Sequence, residues 1–366
     1  MQSFDQLASW RRWWIGRRNR LLSSPRFQRF AARFPLTRPV ARRRARALFD
    51  LVAGFTYSQI LAACVELRLF ELLADRPGDA ASIGEATGLP PAAVDRLLRA
   101  AAALDLVERV GDEWMLGSAG AALRGNRGVA EMVAHHRLLY ADLADPVALL
   151  RRGGGGGGLA ALWRYTDAAD PAAVTDYSRL MAASQPLVAA QAIDAYPFAR
   201  HRRLLDVGGG EGAFLAAVGA RVPSLALGLF DLPAVGERAA TRLGDAATIH
   251  AGDFTRDALP TGYDIVSLVR VLHDHDDAPA LALLRAIHAA LPPGGTIFIA
   301  EPMAETRGAE PAGDAYFGLY LWAMGSGRPR SAAAVGAMLR QAGFDRITRR
   351  GTALPITTSV ITALRR

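Results

Sequence analysis

The stretch from Leu204 to Pro233, LLDVGGGEGAFLAAVGARVPSLALGLFDLP, constrains this chain most. The apolar run Leu204, Leu205 and Val207 predicts a buried strand. It enters a turn containing Asp206, Gly208, Gly209, Gly210 and Gly212, and an apolar-periodic helix follows. A second strand over 225–230 then leads to an acid, Asp231. Glycines let backbone approach a ligand closely. A carboxylate about 20 residues further on can accept hydrogen bonds from ribose hydroxyls. The pattern points to a ligand of nucleoside type and leaves open which one, since a dinucleotide would also suit it.

The rest of the chain sets bounds. With 366 residues, 51% of them hydrophobic, it has material for two domains and a large core. Read by runs, no apolar stretch reaches the ~18 residues that span a bilayer, Leu51–Leu61 being too short. Nor does the start have the apolar core of a secretory signal, so a cytosolic location is expected. The single cysteine, Cys64, lies in the helical pattern LAACVEL and reads as a small buried hydrophobe. All 43 basic residues are arginine, which excludes chemistry through a Schiff-base lysine. Charge is uneven: the first 46 residues hold thirteen arginines and one acid, whereas the remainder has a net charge of −4.

Residues 1–46 therefore form a basic arm. Phe27, Phe30 and Phe34 recur at helical spacing beside Arg26, Arg29 and Arg33, and Trp10, Trp13 and Trp14 sit among arginines. Such an arm suits peripheral contact with a membrane. Packing on its own body or on a second copy is an equal alternative, and nucleic acid a lesser one. Residues 47–125 read as helices followed by a hairpin over 107–116 with Gly111-Asp112 at its tip, a winged-helix pattern. Few basic residues mark its second helix (Arg96 and Arg99 against Asp95), so dimerisation or substrate capping is favoured over reading DNA. Residues 126–200 read as a helical connector and substrate cap, broken by a flexible glycine run at 153–158. Adjacent His135 and His136 point in different directions on a helix and do not make a metal site. From 201 to the end, strands at 203–207, 225–230, 247–251, 263–269, 296–301, 344–350 and 355–364 alternate mostly with helices. This predicts an α/β domain with a mostly parallel sheet covered on both faces.

Three more features fall at strand ends. Asp253 and Phe254 follow the third strand, where an acid and a ring could bond an adenine amine and stack on its face. His273, Asp274, His275, Asp276 and Asp277 follow the fourth. Glu301 closes the fifth. DVGGGEG, FDLP, AGDF, VLHDHDD, LPPGG and AEP, in this order and spacing, resemble the S-adenosylmethionine-dependent O-methyltransferases of the caffeate and acetylserotonin type. The resemblance implies a class I methyltransferase sheet of Rossmann-like form with an antiparallel C-terminal strand, preceded by a winged-helix dimerisation domain, in a homodimer. It implies S-adenosyl-L-methionine held by Asp206, Gly208, Gly210, Asp231, Leu232, Asp253, Phe254 and Arg270, with His273 as general base and Glu301 beside it. His275 and the three Asp residues after His273 read as caps and surface groups.

This chain departs from that pattern in places. His275 stands where the family has Trp. Val269 stands where it often has Lys. In GRPRS (327–331) Pro329 stands where a second carboxylate would flank the base, so Glu301 alone or another acid, Asp314 being one candidate, would orient His273. Together the arm, the segment 24–55 and MGSGRPRS resemble the bacterial carotenoid-hydroxyl methyltransferases, implying a lipophilic acceptor. Methylation of a polyketide or phenolic hydroxyl is the alternative within the class. A winged-helix regulator that senses a metabolite is the alternative outside it.

Overall fold

The computed structural model describes residues 2–163 and 185–366. The chain divides into two compact units, Met1–Ser118 and Ala119–Arg366.

The first unit starts with three helices, α1 (Gln2–Ser23), α2 (Pro25–Arg33) and α3 (Arg38–Glu66). Ser24 caps α2 by accepting from the Phe27 amide, and Pro25 occupies the first turn, where no N–H is needed. Several aromatics of the arm face outward: Trp10, Trp13, Trp14 and Phe30 are all more exposed than buried. One helix runs unbroken through residue 46. It is also long and apolar enough, by length and composition, to cross a membrane, which the run-based reading missed. The reason is that the apolar part of α3 includes Gly54, Thr56, Tyr57 and Ser58, which interrupt a run without adding charge. Its Leu48, Phe49, Leu51, Val52 and Phe55 are 61–82% exposed within the chain.

After α4 (Leu69–Asp75) comes the winged helix: β1 (Gly78–Asp79), α5 (Ala80–Thr87), α6 (Pro91–Ala103), β2 (Val107–Val110) and β3 (Glu113–Leu116). Asp79 caps α5 through the Ser82 amide at 2.8 Å. The hairpin pairs Val107 with Leu116 and Val110 with Glu113, and β1 adds a short third strand beside β3. Leu98, Val94 and Trp114 are buried. So is Cys64, whose thiol burial pushes up to about 11, an inert group.

The second unit opens with α7 (Ser118–Arg124), α8 (Arg127–Asp142), α9 (Pro146–Arg151), α10 (Gly158–Trp163) and a helix over 185–194, α11. Residues 164–184 of the expected cap lie outside the described residues. The glycine run at 153–158 is not the loose connection expected. The Gly155 amide donates to the Trp322 carbonyl at 2.9 Å, and the Gly158 and Leu159 amides donate to the two Asp142 carboxylate oxygens. Glycine serves here for close backbone packing.

A seven-stranded sheet follows: β4 (Arg203–Val207), β5 (Ala226–Asp231), β6 (Ala247–Ala251), β7 (Ile265–Val269), β8 (Thr296–Glu301), β9 (Phe344–Arg350) and β10 (Ser359–Arg365). The spatial order is β6-β5-β4-β7-β8-β10-β9, with β10 antiparallel to both neighbours and the β4–β8 group parallel. Between the strands run α12 (Ala213–Arg221), α13 (Pro233–Leu243), α14 (Asp277–Ala290), α15 (Gly318–Met324) and α16 (Ala332–Gln341), α15 being entered by a π-helical turn over Pro311–Phe317. Adjacent Leu204 and Leu205 enter separate cores: Leu204 packs with α11 and α12, Leu205 with α14 and α16. That is why the central strands read as continuous apolar runs. The order reverses between β4 and β7, so a crevice opens beyond their carboxyl ends, where α/β sheets bind ligands.

Candidate active site

At the end of β4, Asp206 is fully buried. One carboxylate oxygen accepts from the Ser267 hydroxyl at 2.5 Å, and the other is buried without a partner among the described residues. Burial pushes this carboxyl up to about 7, despite the Ser267 hydrogen bond. Gly208 turns the chain in the left-handed region (φ 69°), and a Cβ there would press on Val271 at 3.0 Å. Asp231, the last residue of β5, closes the turn from the other side. Its two oxygens accept from the Gly210 and Leu232 amides, each at 2.8 Å. Burial raises its carboxyl to about 6, with those amides and Arg238 pulling the other way. Each oxygen keeps a lone pair for a further donor.

Asp253 and Phe254 follow β6. Asp253 accepts from the Thr255 amide at 2.8 Å and the Thr255 hydroxyl at 2.6 Å. Slight burial raises its carboxyl, but these bonds, Arg256 and His275 outweigh that and leave it below the usual carboxylate range. Phe254 is half-buried on the core, with the His275 ring edge-on at 5.3 Å. An adenine edge would thus meet a charged acceptor and an aromatic wall. His275 is half-buried between Phe254 and Trp163, whose ring centre is 6.4 Å away, so it belongs to the site rather than to the surface.

The base lies beyond β7. Arg270 turns the chain at positive φ (57°) and donates its amide to the Ala300 carbonyl. A 3-10 turn, Leu272–Asp274, then presents His273, which is 4% exposed. Glu301 is fully buried at the end of β8, but it does not hold the ring as expected. It accepts the His273 backbone amide at 3.1 Å, and burial raises its carboxyl to about 7. The carboxylate at the ring is Asp274, whose Oδ1 lies 3.3 Å from Nε2. Asp314, the other candidate, instead accepts the Glu305 amide. Burial, with Arg270, Arg330 and His275, lowers His273 to about 3, while burial and Glu301 push Asp274 far up. At 3.3 Å the two could be taken for an ion pair. Burial disfavours charge on both partners, so we read them as a neutral pair. The charge of Arg270 reaches His273, Asp274 and Tyr320, which places it on the base side of the crevice.

Sequence reasoning missed three further groups. The His135 and His136 Nε2 atoms pair with the Tyr320 and Tyr316 hydroxyls at 2.9 and 2.7 Å, so each histidine of α8 has its own tyrosine. Tyr316, Phe317 and Tyr320 form an aromatic wall, with Phe317 5.9 Å from the His273 ring. The third group is Arg330, whose side chain is wholly buried and paired with Asp277. Of these, only the histidines had been singled out in sequence, and their partners lie about 180 residues away.

Residues 140–345 match the O-methyltransferase domain family, and residues 49–121 match the O-methyltransferase dimerisation domain. The chain belongs to the S-adenosylmethionine-dependent O-methyltransferases. It is similar to the demethylspheroidene O-methyltransferase of Cereibacter sphaeroides (44% identical, covering 94% of each chain). The protein of that name from Rhodobacter capsulatus is 42% identical, over 94% of this chain and 88% of the relative. Human N-acetylserotonin methyltransferase, solved in complex with S-adenosylmethionine, has the same fold (TM-score 0.74, 23% identity, 88% of this chain and 97% of that one). The winged helix of this methyltransferase thus belongs to a dimerisation domain, and the open apolar face of α3 lies largely within it. The cofactor fits the residues present: a cationic sulfonium ligand suits a crevice that holds a buried, unpartnered Asp206 oxygen and a second carboxylate, Asp231, with free lone pairs.

Proposed function

We propose that this enzyme methylates the C1 hydroxyl of an acyclic hydroxycarotenoid, as a homodimer, with His273 as general base. The observation that carries the acceptor is the 44% identity to a demethylspheroidene O-methyltransferase over 94% of both chains. Asp206, Gly208, Gly210, Asp231 and Leu232 hold the methionine and ribose parts of the cofactor, and Asp253 and Phe254 flank its adenine. Arg270 meets the cofactor from the base side, where its charge reaches His273 and Asp274. S-adenosylmethionine supplies an already activated methyl group, so the protein's task is mainly to align the acceptor oxygen with it. The aromatic wall of Tyr316, Phe317 and Tyr320 suits an apolar chain.

His273 then takes the hydroxyl proton. A ring lowered to about 3 is neutral at working pH but too weak a base to make an alkoxide first. Proton loss therefore accompanies or follows methyl transfer, when the oxygen has become strongly acidic. The purified enzyme, given methyl-labelled cofactor, should label hydroxylated acyclic carotenoids in preference to phenols. Label on phenols alone would refute the acceptor.

The basic arm brings the enzyme to the membrane where such an acceptor resides. Exposed Trp10, Trp13 and Trp14 suit the headgroup region and the arginines suit anionic lipid. Replacing the three tryptophans by serine should weaken binding to anionic liposomes about tenfold or more and leave cofactor affinity unchanged. Unaltered liposome binding would exclude the arm as anchor.

A further inference from the structure

Four consecutive carbonyls of the base turn are each held by one short segment, 326–330, between α15 and α16. The Leu272 carbonyl accepts from Arg330 Nη1 at 2.8 Å, and that of His273 from the Arg328 amide at 2.9 Å. The Asp274 carbonyl accepts from the Ser326 hydroxyl at 2.7 Å, and that of His275 from Arg330 Nη2 at 2.7 Å. Two acids that follow complete the seam. Asp276 accepts the Gly327 amide at 3.0 Å, and Asp277 takes both Arg328 and Arg330. The approach is so close that a Cβ on Gly327 (φ 78°) would lie 2.1 Å from the His273 carbonyl oxygen.

Arg330 is 1% exposed, yet its counter-ion Asp277 has a side chain that is 59% exposed. Burying a guanidinium is costly, and an apolar residue often stabilises a fold as well. What an apolar residue cannot do is bridge the Leu272 and His275 carbonyls on either side of the base.

We propose that segment 326–330 is a strap that sets the position of His273, with Arg330 as its main positioning residue. It acts where the family pattern would place a second carboxylate and this chain has Pro329. The strap holds the backbone of the base from one side while Glu301 holds the His273 amide from the other. Because it continues directly from α15, the helix that carries Tyr320, it ties the aromatic wall to the base. Its charge matters as well as its fork. The groups around the His273 ring are Arg270 after β7, Asp274 and His275 on its own turn, Glu301 on β8, Tyr320 on α15, and Arg330. Burial does most to hold the ring neutral, and of these groups Arg270, Arg330 and His275 add to it.

The test compares Arg330→Lys with Arg330→Gln in the full-length enzyme. Three readings are taken: kcat with the acceptor that the wild type methylates, cofactor Kd by calorimetry, and the His273 ring titration by NMR. Both variants should lose about 10- to 100-fold in kcat with cofactor Kd changed less than about twofold. The lysine keeps the charge, so His273 should titrate as in the wild type. In the glutamine variant the titration should move up, but only part of the way, because burial and Arg270 still hold the ring down. A folded variant of either kind with wild-type kcat would overturn the proposal, as would an unmoved His273 titration in Arg330→Gln. If the Arg330 variants do not fold, Ser326→Ala and Asp277→Asn decide. Each should lower kcat about three- to tenfold at unchanged cofactor Kd, and wild-type kcat in both would overturn it. The NMR reading needs no acceptor, so failure of the carotenoid assignment would be distinguishable from failure of the strap.

Discussion

The two sides of the crevice are built in different ways. On the cofactor side, Asp206, Gly208, Gly210, Asp231 and Leu232 all fall within one strand-turn-helix-strand unit, and their bonds are mostly to each other. On the base side, His273 is fixed by Glu301 from β8 and by segment 326–330, while the aromatic wall pairs α8 with α15. One side is local in sequence and the other is assembled across the domain. This difference suggests that damage on the cofactor side should appear in binding, and damage on the base side in turnover.

The largest effect should come from removing the base. His273→Ala should lower kcat by about 10²- to 10⁴-fold, the usual worth of a positioned general base, with cofactor Kd nearly unchanged. Wild-type turnover would sink the assignment of His273. Next, Asp231→Ala removes a carboxylate that holds two amides and has room for ribose hydroxyls. Charge-assisted bonds are worth about 1.5–3 kcal/mol each, so cofactor Kd should rise about 100-fold, with kcat at saturation much less affected. An equal fall in kcat would show that the two sides are not separable.

The same contrast explains what could be read in advance. All seven strands of the large sheet were legible within a few residues, the central ones because strands buried on both faces read as apolar runs such as the four residues 297–300. So was the glycine turn, since its glycines and acids recur at short spacing. The acid at the base was not. Glu301 occupies the expected place but holds a backbone amide, and Asp274, adjacent in sequence to the base, takes the ring. Which carboxylate oxygen meets which nitrogen is decided by how a turn folds, and spacing does not carry that. The strap is not legible because its bonds to the base turn come from an arginine side chain, a serine hydroxyl and a backbone amide, types that spacing does not single out. The glycine run at 153–158 packs closely where its sequence reads as flexible, because flexibility and close packing call for the same residue.

Protonation should separate the sides further. Burial raises Asp206 to about 7 and Asp231 to about 6, so both are ionised above pH 7.5 and take up protons as pH falls to 5. A cationic ligand and its ribose hydroxyls favour the ionised forms. Cofactor Kd should therefore rise at least about tenfold between pH 7.5 and 5, as titration of Asp231 alone would give. Asp231→Asn should flatten part of that rise. His273, lowered to about 3, stays neutral over the whole window and should add no acid limb to kcat. A flat cofactor Kd from pH 7.5 to 5 would mean that these carboxylates do not meet the ligand's charge.

The smallest expected effect tests whether the acceptor wall is more than packing. Tyr320 is 7% exposed, its hydroxyl bonds His135 at 2.9 Å, and burial raises its pKa, as does the nearby Asp274. Burial lowers His135 to about 4, so the pair is neutral and polar within an aromatic surround. Tyr320→Phe keeps the ring and its packing on Leu321 and Met324 but strands the His135 nitrogen. Leaving a buried polar group unpaired costs about 1–3 kcal/mol, and His135 can avoid part of that by reorienting. A looser wall should raise the acceptor KM about three- to tenfold while cofactor Kd stays put, because the hydrogen bonds that hold the carboxylates of the glycine turn come from Ser267 and from the Gly210 and Leu232 amides and not from α15. His135→Leu with Tyr320→Phe removes both polar partners together, and the double variant should recover part of the stability lost in the single one. If Tyr320→Phe instead changed cofactor Kd and left the acceptor KM alone, the wall would belong to the cofactor side, and the division between a local and an assembled half of the crevice would be drawn in the wrong place.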